Sequence, residues 1–468
     1  MTKIVCTIGP SSDSVEMLKK MEKTGMNIAR LNFSHGTHQE HETVFNRIRE
    51  NCPNIAIAID IAGPKIRIGK FKESVSLEIG EKVTITNDES IISTKNYFSV
   101  NYKDLYKEVK IGSPIFINDG LVKLEVLEID GNLIKCVVRD GGIISTRKGV
   151  NVPDSNLTLH VPTKKDIIDI EKACELEADY LFISFVRDVE DIKKIKEIIK
   201  SSTSQYIPII AKIEHIDAVK NIKSIMENCD GLMVARGDLG IEIGPEKVPV
   251  LQKQYIQMGM QLGKPVIVAT QMLESMTIEP IPTRAEASDV AHAVFDGADA
   301  VMLSAETATG IHPVNVIRVM DQIIREAEKS ELIFIPKCKA KNIEESIGKA
   351  AVDIAQNLSA KAIIALTRTG YSSQMVSKYR LRLPIFASTP EKRTLRRVQL
   401  YWGVKPIFHT YETDYDQLVY TCISSLINEG HLKDDDIVVL VGGSYLGIPR
   451  KTNTIQVFNT NEVLAGKH

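Results

Sequence analysis

The sequence contains no Cys-x-x-Cys pair and no cysteine or histidine cluster at metal-ligand spacing, and its cysteine count is odd. Its seven cysteines, Cys6, Cys52, Cys136, Cys174, Cys229, Cys338 and Cys422, are scattered. A disulfide framework is therefore not expected, and the cysteines read as reduced thiols in a cytosol. Neither sign of charge is in excess. Lys and Arg total 58 against 60 Asp and Glu, a formal net charge of -2, so the nucleic-acid footprint of a basic protein is absent. No apolar run is long enough to cross a membrane. The first residues, MTKIVCTIGP, read as a strand entering a turn and not as a secretory h-region. Hydrophobic content of 43% and charged content of 25% are ordinary for a soluble globular chain. A length of 468 residues allows about two to four domains with at least one large core.

What is present is an alternation. Apolar runs bounded by turn residues occur at Ile4–Ile8, Asn27–Leu31, Ile55–Ile59, Tyr180–Ser184, Ile207–Ile213, Gly231–Ala235, Pro265–Thr270 and Ala300–Ser304. Each is followed by a segment of helical period: Ser14–Lys23, Gln39–Glu50, Lys164–Leu176, Val189–Lys200, Ile216–Asn228, Val250–Leu262, Thr283–Phe295 and Pro313–Glu328. Eight such pairs are the number that closes a (β/α)8 barrel, spanning residues 1–64 and 163–336. The third strand and third helix are separated by about a hundred residues, far beyond an ordinary loop. This insertion, 65–162, alternates apolar and polar residues in short runs and reads as a small β-barrel or sandwich. It is rooted beside Gly63-Pro64 and Pro162, which are candidate hinges. From 337 to 468 the pattern restarts with a helix (Ile343–Leu358). Strands follow at Ala362–Leu366, Ile385–Ser388, Lys405–His409, Ile437–Val441 and Thr454–Phe458, a separate open-sheet α/β domain.

Charge collects where the barrel strands end. IIAKIEH (209–215) and LMVARGDLG (232–240) are apolar runs that stop abruptly at Lys212, Glu214 and Asp238. That is how a buried parallel strand reads when its C-terminal end opens into a site. Three ionisable groups at one sheet edge are costly to desolvate unless a metal or an anionic ligand joins them. Past the other strands stand Arg30, Asn32, Ser34, His35, Asp60, Arg236, Thr270, Ser304 and Glu306, while the opposite rim offers nothing comparable. Any one of these has a plain reading as a strand-end cap or salt bridge; their convergence on one opening favours a site. Glu214 and Asp238 are hard oxygen donors suited to Mg2+. Gly237 lets backbone N–H groups approach an anion, and Arg30 can clamp a phosphate or carboxylate as a fork. His38 and His41, near a helix start, read as solvated. The mixed charges of Asp188–Lys200 read as a solvated helix face, Gly442-Gly443 as a turn, and Tyr401 and Trp402 as packing residues.

Ten motifs then fall in one order: TIGPSS (7–12), ARLNFSHG (29–36), GPKIRIG (63–69), DGLVKL (119–124), KGVNVP (148–153), AKIEH (211–215), MVARGDLG (233–240), ATQMLESM (269–276), PTRAEASDVA (282–291) and MLSAETATG (302–310). Over essentially its full length the chain resembles the pyruvate kinase family. The family's fold, a barrel with an inserted β lid and a C-terminal α/β domain, agrees with the organisation read above.

The resemblance implies transfer of the phosphoryl group of phosphoenolpyruvate to ADP, giving ATP and pyruvate. It implies Mg2+ on Glu214 and Asp238, with Mn2+ able to substitute. Lys212 and Arg30 would neutralise the transferring group. Gly237, Asp238 and Thr270 would bind the substrate carboxylate, and Thr270, Ser304 and Glu306 would serve protonation of the enolate. Asn32, His35, Arg67, Asp119 and Lys148 would meet the nucleotide under a closing lid. Thr367, Arg368, Thr369 and Ser372, in TRTGYSS (367–373), are the matching candidates for a phosphorylated effector. The far-side loop Gly442–Asn453 is individual to this chain. Cytoplasmic homotetramers are the family habit. Asn32, Ser34, Asp60 and the Ile61 carbonyl match the positions that hold a monovalent cation in K+-dependent members. Those members usually read Asp-Thr-Lys-Gly-Pro-Glu where this chain has Asp60-Ile61-Ala62-Gly63-Pro64-Lys65. Lysine at the last position goes with K+ independence in the family, so K+ is not expected to be required. Two alternatives remain at this stage: a metal-dependent lyase acting on pyruvate-like substrates, and a non-catalytic regulatory homologue.

Overall fold

The structure, a computed structural model, describes residues 1–153, 158–159, 161–335, 338–412, 414–443 and 451–466. Eight parallel strands close a barrel in sequence order: β1 (Lys3–Thr7), β2 (Ile28–Asn32), β3 (Ala56–Ile61), β4 (Tyr180–Ile183), β5 (Ile209–Ile213), β6 (Gly231–Ala235), β7 (Val266–Ala269) and β8 (Ala300–Leu303). The register is continuous, with Asn32 beside Asp60, Asp60 beside Phe182, and Ile183 beside Ala211. Strand alternation splits the apolar residues into two sets. Val5, Ile28, Ala58, Phe182, Ile210, Met233 and Ile267 fill the barrel; Ile4, Ala29, Ile59, Leu181, Ile209 and Leu232 face the helices. Extending the inward parity by two residues places Arg30, Asp60, Ser184 and Lys212 over the filled interior.

The helices form where the periodicity places them. Thr37, Thr163 and Thr283 each close a capping box with the acid three residues on, Glu40, Asp166 and Glu286. The segment read as one helix over Ile216–Asn228 is two, Ile216–Lys220 and Ile222–Asn228. The break falls at Asn221 (φ -99°, ψ 10°), whose side-chain amide donates to the Arg187 carbonyl at 3.1 Å. An unanticipated helix, Arg236–Ile243, follows β6.

The insertion is a seven-stranded sheet, running in space Ile66–Arg67, Gly149–Asn151, Pro114–Ile117, Val122–Asp130, Leu133–Asp140, Lys82–Thr86 and Tyr97–Ser99. Its two edges meet at an Ile68–Val100 bridge, with the Gly69 N–H on the Ser99 carbonyl at 2.7 Å, so the sheet curls around a core of its own. The C-terminal sheet runs Val404–Phe408, Ile385–Thr389, Ala362–Leu366, Ile437–Gly442 and Thr454–Asn459, parallel except for the last pair.

The N-terminal rim of the barrel corrects the expectation that it carries nothing comparable. Acids immediately preceding strands anchor the C-terminal domain there. Asp179 takes Arg49 at 2.8 Å and Arg396 at 2.9 Å, and Asp299 takes Arg380 at 2.8 Å. Lys3 donates to the Val404 carbonyl. Leu400 joins the apolar residues inside the barrel, and the Tyr180 hydroxyl donates to the Arg397 carbonyl at 2.6 Å. Trp402 is fully buried with Arg380 over its ring, as a packing residue should be. All seven cysteines are buried free thiols. Among the described residues no helix is long and apolar enough to cross a membrane.

Candidate active site

Inward parity delivers four polar side chains to the C-terminal mouth of the barrel, and they bond to one another. Asp60, with no exposed surface, accepts from Arg30 Nε at 2.7 Å and from Lys212 Nζ at 3.3 Å. Arg30 also donates to Thr7 Oγ1 at 2.8 Å. Lys212 donates to Ser184 Oγ at 2.7 Å and stands 3.1 Å from Glu214 Oε1, so all three of its N–H groups have partners. Burial opposes ionisation of Asp60, but the charges of Arg30 and Lys212 outweigh it and hold its pKa below the usual aspartate value. Burial likewise opposes the Lys212 ammonium, yet Asp60 and then Glu214 hold its pKa above the ordinary lysine value. Two fixed positive charges are thus kept at the mouth of a dry barrel.

Glu214 is the strained member. Burial raises its pKa, Lys212 opposes the rise, and the charge of Asp238 adds to it. Its Oε2 accepts the Phe185 N–H at 2.9 Å. Asp238 opens the helix after β6, and its Oδ1 is 2.7 Å from Lys65 Nζ of the lid root. Two like charges that raise each other's cost are a fitting donor pair for a divalent cation, which would remove the repulsion. Among the described residues no group of three or more histidines, cysteines and acids could hold a metal ion. A carboxylate pair with substrate and water oxygens is the set Mg2+ prefers to an all-protein cage.

Thr270 stands at the end of β7 with φ +72°, a left-handed conformation unusual for a β-branched residue. Its hydroxyl donates to the Ala269 carbonyl at 2.6 Å and accepts the Gly237 N–H at 2.9 Å. One of the two amides expected to meet a substrate carboxylate therefore already has a partner. Glu306 is 2% exposed and receives the Ser304 N–H at 2.6 Å and the Leu273 N–H at 3.3 Å, clamping two loops.

The outer residues gather more loosely. His35 is close enough to Arg67 and Arg30 that, after partial desolvation, their charges lower its pKa. Asp119 lies in the lid turn whose Gly120 approaches the Ile241 side chain of the barrel, and Asn151 of the lid donates to Glu242 at 3.3 Å. Lys148 adjoins Arg67 through its carbonyl, which accepts the Ile68 N–H at 2.9 Å. Asn32 Oδ1 accepts the Ser34 N–H at 3.2 Å, and the Ile61 carbonyl accepts the Ser184 N–H at 3.2 Å. His38 and His41 are not simply solvated. His38 pairs with buried Asp169 at 2.7 Å, and His41 bonds the His35 carbonyl at 2.6 Å and stacks on Phe33.

In the C-terminal domain Thr367 Oγ1 accepts the Gly370 N–H at 2.9 Å, and Ser372 bonds Thr452 at 2.7 Å. Thr369 is exposed, and Arg368 pairs with Glu391 at 3.2 Å. Residues 444–450 of the far-side loop lie outside the described residues.

The sequence reading missed Ser184, Phe185 and Thr7 as parts of the site. The available signal was Ser184 itself, a lone polar residue closing the apolar run YLFIS at the same rim.

Known proteins resemble the chain over nearly its whole length. Residues 1–317 match the family described as pyruvate kinase, barrel domain, and residues 345–458 match pyruvate kinase, alpha/beta domain. A protein named pyruvate kinase from Clostridium acetobutylicum is 40% identical over 467 aligned positions, covering 97% of this chain and 98% of the relative. One of the same name from Staphylococcus haemolyticus is 40% identical over 476 positions, covering 99% of this chain and 81% of the relative. The same figures hold for one from Staphylococcus aureus. The lyase and non-catalytic alternatives are not favoured by likeness of this extent. A barrel mouth built on Arg30, Lys212 and two carboxylates, with whole-length likeness on both sides of the lid, makes the chain a member of the pyruvate kinase family.

Proposed function

We propose that the chain moves the phosphoryl group of phosphoenolpyruvate to ADP, forming ATP and pyruvate, as the closing step of glycolysis in the cytoplasm. The observation that carries this reading is the Arg30–Asp60–Lys212–Glu214 chain of contacts, which holds two cations beside two carboxylates at the barrel mouth. In the reaction the P–O bond to the enol oxygen breaks and a bond forms from phosphorus to a β-phosphate oxygen of ADP. The enolate left behind takes a proton at carbon to become pyruvate.

A loose, metaphosphate-like transfer asks the protein for positioning and charge rather than covalent chemistry. Arg30 and Lys212 supply that charge already oriented, so little reorganisation is needed as the transition state forms. Glu214 and Asp238 are the proposed holders of Mg2+, or Mn2+ in its place, which would neutralise charge on the substrate oxygens. The Asp238 N–H and the region of Thr270 would receive the substrate carboxylate. Asn32, His35, Arg67, Asp119 and Lys148 would face the nucleotide, a grouping supported by the lid's contacts with the barrel. Lid closure would exclude water, so that ADP and not water takes the phosphoryl group. Ser304 and Glu306 remain candidates for the proton route, although the backbone bonds of Glu306 compete with that use.

K+ independence is proposed on two supports. Asp60 already has both oxygens on cations, and Lys65 brings a fixed positive charge to the site. An effector site at Thr367–Ser372 and a homotetramer complete the proposal. The test is formation of ATP from phosphoenolpyruvate and ADP with Mg2+, followed by a coupled assay. No ATP from well-folded protein would overturn it.

A further inference from the structure

The peptide unit between Ser184 and Phe185 touches the lid root on one side and the charged cluster on the other. Ser184 is 3% exposed, and its Oγ accepts from Lys212 Nζ at 2.7 Å with Asp60 Oδ1 3.5 Å away. Among the described residues it is the one neutral hydrogen-bond partner of that ammonium. Asp60 and Glu214 hold Lys212 by opposite charge and so offset what it presents to an incoming anion. A hydroxyl orients it without that offset. The N–H of the same peptide belongs to Phe185 and donates to Glu214 Oε2 at 2.9 Å.

The C=O of this trans peptide points the opposite way. Ser184 O lies 2.8 Å from where a Cβ on Gly63 would stand, too close for any side chain there. Gly63, at φ +65°, is where the chain leaves the barrel for the lid, and its N–H is held by Asp166 at 3.1 Å. Two residues on, Lys65 Nζ stands 6.0 Å from the Phe185 ring centroid. Phe185 has φ +56°, a conformation that a bulky residue keeps only when its surroundings impose it. Here that conformation aims its N–H at Glu214. A shift of the Gly63 backbone against the carbonyl would turn the same plane and carry the N–H off the carboxylate.

We propose that the Ser184–Phe185 peptide is a positioning element for phosphoryl transfer. Ser184 orients Lys212, Phe185 orients Glu214, and Gly63 couples both to the root of the lid. The proposal rests on the roles given above to Lys212 and Glu214.

The decisive variant is Ser184→Ala. Loss of one orienting bond to a buried ammonium should lower kcat about 10- to 100-fold. KM for phosphoenolpyruvate should stay within about threefold, with the Mn2+ affinity of the substrate-free protein unchanged, because that bond does not hold the carboxylates; a modest fall in stability is expected from the buried N–H left without its partner. A fall in kcat smaller than tenfold, or a joint loss of kcat and Mn2+ affinity, overturns the proposal. The second variant, Gly63→Ala, pushes on Ser184 O. Electron paramagnetic resonance of Mn2+ titrated into the substrate-free protein should show at least about fivefold weaker binding; unchanged binding overturns the coupling to the lid. If Gly63→Ala does not fold, the kcat-against-KM split of Ser184→Ala decides. If the wild type itself makes no ATP, the functional reading has failed and the Ser184–Lys212 arm with it, while the Mn2+ titration still decides the coupling of Gly63 to Glu214.

Discussion

Lys65, at the root of the lid, holds its ammonium 2.7 Å from Oδ1 of Asp238, at the head of the helix that follows β6. The side chains are 21% and 19% exposed, so the pair is half-sheltered beneath the lid. A lid residue thereby covers one of the two carboxylates proposed to take a divalent cation. That cation must share or displace the lysine.

Lys65→Met should therefore bind Mn2+ more tightly in the absence of substrate. A partly exposed pair is worth about 1 kcal/mol, which corresponds to roughly fivefold in affinity. A Mn2+ titration followed by paramagnetic resonance measures it, and equal or weaker binding would show that the pair does not compete with the metal.

The same lysine bears on K+. Turnover with Mg2+ should change less than about threefold when K+ is replaced by a bulky quaternary ammonium ion at constant ionic strength. Lys65→Glu reverses the local charge by about two units in a partly dry cleft, where like and unlike charges act strongly. It should acquire a K+ requirement. A tenfold fall in wild-type turnover without K+ would reject the idea.

Lys212→Met should fold and lose about 10²–10³ in turnover or more, the usual cost of removing a preorganised charge. Retention of a tenth of wild-type turnover would refute its role. Glu214→Gln should raise the Mg2+ concentration needed for half-maximal rate as well as lowering the rate. An unchanged metal dependence would argue against Glu214 as a ligand.

Arg368 is bound to Glu391 at 3.2 Å, in the C-terminal sheet domain and not at the barrel mouth. Arg368→Glu should leave the rate at saturating phosphoenolpyruvate nearly intact and abolish activation by any phosphorylated metabolite that activates the wild type. Activation surviving at the same half-maximal concentration would exclude this pocket.

Lys3 makes a pH-dependent joint at the other rim. Its pKa is lowered to about 8, chiefly by burial and then by Lys405. The folded state thus binds this proton less tightly than the unfolded chain does. Below pH 8 the buried charge costs the fold its full penalty, and the penalty fades as pH rises through the ordinary lysine range. Relative to Lys3→Met, the wild type should gain about 2–3 kcal/mol between pH 8 and pH 10.5. Parallel denaturant curves across that range would contradict it.

The sequence carried its barrel openly because each strand is a buried apolar run and each helix has a repeating stripe. Those local patterns survive without knowledge of what packs on them. The site residues were legible for a related reason. A charge that interrupts a buried strand, as Lys212 does after Ile209–Ala211, is too costly to be accidental. Three facts belonged to the tertiary structure alone. Lys65 meets Asp238 across 173 positions of chain, and no local pattern encodes such a pairing. Asp179 and Asp299 drew no notice in the sequence, and they are anchors only because the C-terminal domain docks beneath them. Ser184 looked like the end of a strand. Its importance lies in the inward parity of a closed barrel, which brings its hydroxyl to Lys212, and in the reverse face of its peptide, which meets Gly63. Period and burial are properties of a segment and can be read along a line. Pairing between segments depends on closure of the sheet and on the placing of the lid.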